Sequence, residues 1–192
     1  MKLRLLAVVV AVVLSSAVAH AQIGFYVNPE FIRVSNSTPD PGNFAFLGQN
    51  QTERIFGGVD FGAYYDAFHS RKLGAGLDVR DAAVNGHGAI LNNFEGGVRI
   101  SYALSDRWKP YIEPGLGYAH TKSPNTGIYI KKTNFNVLAG ADFRLARHID
   151  FRAIEIGYGS LNTASDGSIG GTVAIPSSTL IYISSGFVFR FR

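Results

Sequence analysis

Residues 180–191 alternate in character along the chain. Ile181, Ile183, Phe187, Phe189 and Phe191 fall on one side of an extended backbone, broken only by Ser185. Tyr182, Ser184, Gly186, Val188 and Arg190 fall on the other. A period of two is the period of a strand, here apolar on one face and wet on the other. Similar alternation recurs upstream and predicts strands at about 23–34, 52–65, 70–80, 91–103, 109–121, 132–144, 149–160 and 178–191. The connections near 35–51, 81–90, 122–131 and 161–177 are long and rich in Gly, Asn, Ser, Thr and Pro. Those near Ala67, 105–107 and 146–148 are short. This rhythm predicts an all-β fold, an eight-stranded antiparallel up-and-down transmembrane β-barrel, with both termini on the short-turn side and the long loops outside the cell.

The two faces are consistent from strand to strand. One collects Phe25, Val27, Phe31, Ile55, Val59, Phe61, Leu77, Val79, Phe94, Val98, Ile112, Leu116, Phe135, Val137, Ile154 and Ile156. The other collects Glu30, Arg54, Asp60, Lys72, Asp78, Arg80, Glu95, Arg99, Glu113, Asp142, Arg144, Glu155 and Arg190, interleaved with glycines. A soluble ligand-binding barrel would turn the apolar face inward. An eight-stranded barrel is only wide enough inside for side chains to fill, and that many bulky residues would crowd it. Glycines with some long charged side chains fit. Aromatic residues mark both ends of the strands. Tyr64, Tyr65, Phe68, Tyr102, Trp108, Tyr111, Phe143, Phe151, Phe189 and Phe191 lie beside the short turns, and Phe31, Phe94, Tyr118 and Tyr158 toward the long loops. Such belts match the two water–lipid boundaries of a bilayer. Some positions resist the pattern: Pro29 and Pro114 lie inside strands, Arg33, His120 and Arg152 take lipid-facing parity, and Phe56 and Leu138 take interior parity, where they are expected to pack among glycines.

The N-terminus reads as an export signal. Lys2 and Arg4 precede an apolar run through Leu14, and Ala19-His20-Ala21 supplies a small-x-small cleavage pattern. Residues 1–21 are therefore expected to be a signal peptide and 22–192 the barrel domain. Without Lys2 and Arg4 the remaining chain carries 16 basic and 14 acidic residues, a net charge of +2, and no basic run that would suit nucleic acid. The absence of cysteine excludes a lipid-anchored lipoprotein, a disulfide scaffold and thiol chemistry.

With this pattern laid out, the chain resembles the small outer-membrane β-barrel family typified by OmpX and the transmembrane domain of OmpA. The resemblance is carried by the export signal and by the segments 54–62, 110–118, 137–144 and 186–191. It implies that Phe187, Phe189 and Phe191 form the C-terminal signal read by barrel-assembly machinery, although Arg192 follows where the family ends on an aromatic. No anchoring role is implied, since no peptidoglycan-binding domain is expected after the barrel. The resemblance specifies architecture rather than activity.

Candidate chemistry is sparse. Glu30, Arg54, Asp60, Arg80, Glu95, Arg99, Glu113, Asp142 and Glu155 share the interior face and are expected to form a salt-bridged network that plugs the lumen, in preference to an ion path. Lipid A deacylases of this architecture use a His-x-Ser pair. The histidine segments His69-Ser70-Arg71, His87-Gly88-Ala89, His120-Thr121-Lys122 and His148-Ile149-Asp150 lack it. His120 with Thr121 and Glu113 is the nearest approach to a catalytic group. No catalytic, metal or cofactor site is expected. The loops are the expected carriers of biology, and Phe44-Ala45-Phe46-Leu47 is read either as a partner contact or as packing on the barrel rim. The expected protein is a non-enzymatic monomer in the cell outer membrane, serving membrane integrity or surface interaction. Its expected partners are outer-membrane lipid and lipopolysaccharide, the assembly machinery and an extracellular partner met by the loops. A narrow channel for small solutes and a lipid A-modifying enzyme are the alternatives.

Overall fold

Eight antiparallel strands close on themselves in chain order: β1 Gln22–Asn36, β2 Glu53–His69, β3 Leu73–Gly86, β4 Ala89–Tyr102, β5 Trp108–Lys122, β6 Tyr129–Arg144, β7 Ile149–Thr163 and β8 Ser178–Phe191. The computed structural model describes residues 22–39, 45–127, 129–163 and 177–191. The expected export signal, residues 1–21, and Phe44 lie outside them. Closure pairs β1 with both β2 and β8, so no strand edge is left open, as a lipid environment demands.

Two connections differ from the expectation. The long loop at 81–90 does not exist: β3 and β4 continue and meet in a two-residue turn, His87-Gly88. Both residues have positive φ, 48° and 83°, as the tight primed hairpin turns require. The alternation had not ended there but changed its chemistry. Beyond Arg80 the inward residues are Ala82 and Val84, whereas Asp81, Ala83 and Asn85 point outward, so the polar contrast inverts. The turn expected near Ala67 is instead a bulge between Tyr65 and Phe68, and β2 runs on to His69.

The apolar face is the outer one. Phe25, Phe31, Ile55, Leu77, Val98, Phe135 and Ile156 are exposed, and Leu116 reaches 70%. This overturns the soluble-barrel alternative, which needs those side chains inside. The prolines follow a common logic. Pro29 pairs with Val59 and Pro114 with Val137 on one flank. On the other flank the ladder is interrupted at those positions, between Val27 and Glu30 toward β8 and between Gly97 and Ile100 toward β5. Each missing N–H thus falls where no ladder bond is made.

The interior has two storeys. Toward the long loops, Ile32, Val34, Phe56, Val84, Leu91, Leu138, Leu161 and Leu180 form an apolar core, with Leu138 lying over Gly157 as expected and Phe56 among the apolar side chains. Below it lie the buried charges. Glycines make room for large side chains directly across the ladder. A Cβ on Gly24 would meet the Tyr64 ring at 2.3 Å, one on Gly140 the Tyr111 hydroxyl at 2.5 Å, and one on Gly157 the Leu138 side chain at 2.2 Å. Tyr64 and Tyr111 are therefore interior residues, not members of the aromatic belt; both are buried.

Candidate functional site

The polar storey is built on three buried arginines. Arg80 on β3 reaches across the lumen to Glu155 at 2.8 Å and Glu113 at 2.9 Å, with Asp60 and Asp78 each at 3.6 Å. Arg152 on β7 contacts Asp142 at 3.2 Å and Glu155 at 3.3 Å, and Arg99 on β4 binds Asp142 at 2.5 Å. Tyrosines fill the gaps between the planar groups. The Arg99 guanidinium lies 3.6 Å from the Tyr111 ring centroid and 4.4 Å from that of Tyr64, and Arg152 lies 4.3 Å from that of Tyr26. The phenols of Tyr26 and Tyr111 donate to Asp78 at 2.6 Å and Glu155 at 2.5 Å. Charge in a space closed to solvent persists only when paired and hydrogen-bonded in this way.

Of the nine residues expected in the network, six meet in it: Asp60, Arg80, Arg99, Glu113, Asp142 and Glu155. Glu95 is interior but held by amides, accepting from Asn93, Asn134 and Asn136. Glu30 is buried, and among the described residues no arginine makes an ion pair with it or with Glu95. Arg54 does not join the network. It lies at the loop end, donating to the carbonyls of Gly86 at 2.8 Å and His87 at 3.0 Å. Lys72 and Arg144, expected inside, are exposed at the turn end.

The most consequential misplacement is Arg152, whose parity assigned it to lipid. It is fully buried at the centre of the network. The register of β7 shifts by one residue against both neighbours, between Arg152 and Glu155 on one side and opposite Ala141 and Asp142 on the other. The extra residue lets side chains three positions apart point the same way. Asp66 with Lys109 at 2.7 Å, and Asp150 with Arg190 at 2.6 Å, form further pairs at the turn end. The signal for Arg152 was present in the sequence as the odd spacing of Arg152 and Glu155.

The other candidates separate. Arg33 faces outward as expected and pairs with exposed Glu53. His120 is exposed on the outer face, while Thr121 is buried and donates to the Ile130 carbonyl, and Glu113 points into the lumen. Opposite faces of β5 cannot present one catalytic group, so this arrangement is no active site. Ala45, Phe46 and Leu47 fold inward over the loop end of the lumen. Phe46 stacks on Phe56 with ring centroids 5.2 Å apart, and Leu47 is 1% exposed. Phe187, Phe189 and Phe191 face outward at the turn end, with Phe187 beside Phe151 and Phe191 beside Phe25. Among the described residues no set of three or more His, Asp or Glu side chains is placed to hold a metal.

The chain is similar in fold to several solved outer-membrane barrels. Neisserial surface protein A aligns at TM-score 0.51 with 14% identity, covering 87% of this chain and 97% of that one. The attachment invasion locus protein Ail of Yersinia pestis, in complex with the heparin analogue sucrose octasulfate, aligns at 0.50 with 11% identity over 89% and 99%. The outer membrane enzyme PagL aligns at 0.45 with 14% identity over 84% and 98%. Identities this low establish the fold alone. No curated protein matches the sequence. The model of the outer membrane protein beta-barrel domain matches residues 5–179, and with the closed eight-stranded architecture it establishes that the chain belongs to that family of outer-membrane barrels.

Proposed function

We propose that this protein is a plugged, non-enzymatic barrel that serves outer-membrane integrity or surface contact through its loops. The observation that carries this reading is the double closure of the lumen. The arginine–carboxylate network crosses the interior from β3 to β5 and β7, and the apolar core with Phe46 and Leu47 closes the loop end above it. Among the described residues both storeys are built of buried side chains, ion-paired below and packed above. With the lumen filled, exposed surface remains the part that meets partners. Phe187, Phe189 and Phe191 are the proposed signal for the assembly machinery. Ail, a protein named for attachment and invasion, shares the fold at 11% identity, so the fold itself assigns no role and the reading rests on the packed interior of the described residues.

The test is conductance. The refolded, heat-modifiable protein inserted in planar bilayers is expected to give no unit conductance steps. Stable steps from the folded band would replace the plugged scaffold with the narrow-channel reading. Lipid A extracted from cells expressing the protein is expected to keep its acylation pattern, and an altered pattern would restore the enzyme alternative.

A further inference from the structure

The outer face of β4, β5 and β6 changes chemistry row by row toward the loop end. The ladder sets Gly96, Leu116 and Phe135 side by side, then Phe94, Tyr118 and Thr133. Asn92, His120 and Lys131 follow, and then Ile90, Lys122 and Tyr129. Phe94, Tyr118, Asn92, His120, Lys131 and Tyr129 are exposed, and Lys122 is half-buried. The greasy row gives way to aromatic rings and then to three cationic or proton-donating side chains within two rungs. That sequence of rows marks the water–lipid boundary.

Paired residues stand about 5 Å apart across a ladder, and two residues along a strand span about 7 Å. Lys122, His120 and Lys131 therefore bring their nitrogens within reach of one anionic group. The rings orient them: Lys131 Nζ lies 4.3 Å from the Tyr118 centroid, and the His120 and Tyr118 rings are 5.5 Å apart. Among the described residues the outward positions of β4, β5 and β6 in these rows hold no carboxylate, their other members being Ile90, Asn92, Phe94, Tyr129 and Thr133, with Asn162 next on β7. The nearest outward carboxylate is Asp81 on β3, opposite Phe94 and one rung below and two strands away from His120. Arg33, an outward cation of β1 near the loop end, is by contrast neutralised by Glu53.

We propose that Lys122, His120 and Lys131 form a binding site for a headgroup phosphate of an outer-leaflet phosphorylated glycolipid. A lipid fits better than a soluble anion because the rows below, Phe94 and Tyr118 and then Leu116 and Phe135, continue the same strip as a surface for its acyl chains. The Asn92 and Asn162 amides flank the cations, where they meet sugar hydroxyls. The site rests on the orientation in the preceding reading, with the long loops toward the outer leaflet.

The test uses the full barrel refolded in detergent micelles, with bisphosphorylated lipid A and its dephosphorylated form titrated separately by native mass spectrometry. The parent is expected to bind the phosphorylated lipid more tightly by at least roughly tenfold, since each lysine near an anionic surface contributes a factor of about five. The triple change Lys122→Gln, His120→Asn and Lys131→Gln is expected to abolish that preference while heat-modifiable mobility is retained. The single Lys131→Gln variant, should the triple one not fold, is expected to lose roughly fivefold. Equal binding of both lipids by the parent, or an unchanged preference in the variants, overturns the site. Displacement of the lipid by millimolar inorganic phosphate also overturns it, in favour of a free-anion site. Binding in micelles does not depend on leaflet or conductance, so failure here leaves the plugged lumen standing, and a conducting barrel leaves this site standing.

Discussion

Replacing Arg80 with methionine keeps most of the side-chain volume and removes the charge that crosses the lumen. Two carboxylates sit within hydrogen-bond distance of its guanidinium, Glu155 at 2.8 Å and Glu113 at 2.9 Å, and two more lie at 3.6 Å. Each such contact is worth about 4 kcal/mol of attraction at an effective dielectric constant near 20. Most of that sum is cancelled by the cost of taking the guanidinium out of water, so it is not the quantity observed. The relevant figure is the cost of leaving buried carboxylates without their partner, about 3–5 kcal/mol. With a urea dependence of about 2 kcal/mol per molar, the unfolding midpoint of the refolded barrel in vesicles should fall by roughly 2 M. The loss must be coupled to its partners. Glu155→Gln in the Arg80→Met background should cost less than in the parent, with a coupling energy of roughly 1–3 kcal/mol. Because the pairs are buried, added salt should change neither value much. An Arg80→Met barrel that unfolds at the parental midpoint would refute the reasoning, as would strictly additive effects of Arg80→Met and Glu155→Gln.

Further outcomes follow from other parts of the barrel. A Cβ at Gly117 would lie 2.0 Å from the Phe94 carbonyl oxygen, a backbone atom with no room to yield, so Gly117→Val should abolish the heat-modifiable band. Phe46→Ala together with Leu47→Ala removes the inward cap. It should cost about 2–5 kcal/mol per residue in urea unfolding and make the segment around residues 45–52 more sensitive to protease in proteoliposomes. His87→Val should lower stability by roughly 1 kcal/mol, since a β-branched residue resists the positive φ of the turn, whereas His87→Asn should hold or raise the urea midpoint. Arg33→Gln breaks only an exposed pair with Glu53 and should shift stability by less than about 1 kcal/mol.

What was legible in the sequence follows from period and charge. The lipid-facing residues from Phe25 to Phe191 could be read directly, because a bilayer requires every second residue along a spanning strand to be apolar. The interior placement of Asp60, Arg80, Arg99, Glu113, Asp142 and Glu155 follows from the same parity. Three things were not legible. The ends of strands lose the contrast on which parity depends: beyond Arg80 the outward residues turn polar and the inward ones apolar, and a strand reads as a loop. Tyr64 and Tyr111 have the composition of a belt and the position of one, yet each points inward over a glycine on the neighbouring strand. Arg152 was given the wrong face because one additional residue in β7 reverses parity within the strand; the odd spacing of Arg152 and Glu155 marks a break in the pattern, but only the ladder shows that a bulge turns both inward.

The sequence by itself determined that the chain forms an outer-membrane barrel, which aliphatic residues face lipid, and that acids such as Asp60, Glu113 and Asp142 are hidden inside it. These depend on hydrophobic periodicity, a property of each strand taken alone. Only the tertiary structure decided which acid meets which base, that Arg54 leaves the network and Arg152 enters it, and that Phe46 and Leu47 turn inward to cap the lumen. Those outcomes depend on shear and closure, through which residues tens of positions apart come to share one level of the barrel. Pairing of that kind is a property of the closed ring and of no single strand.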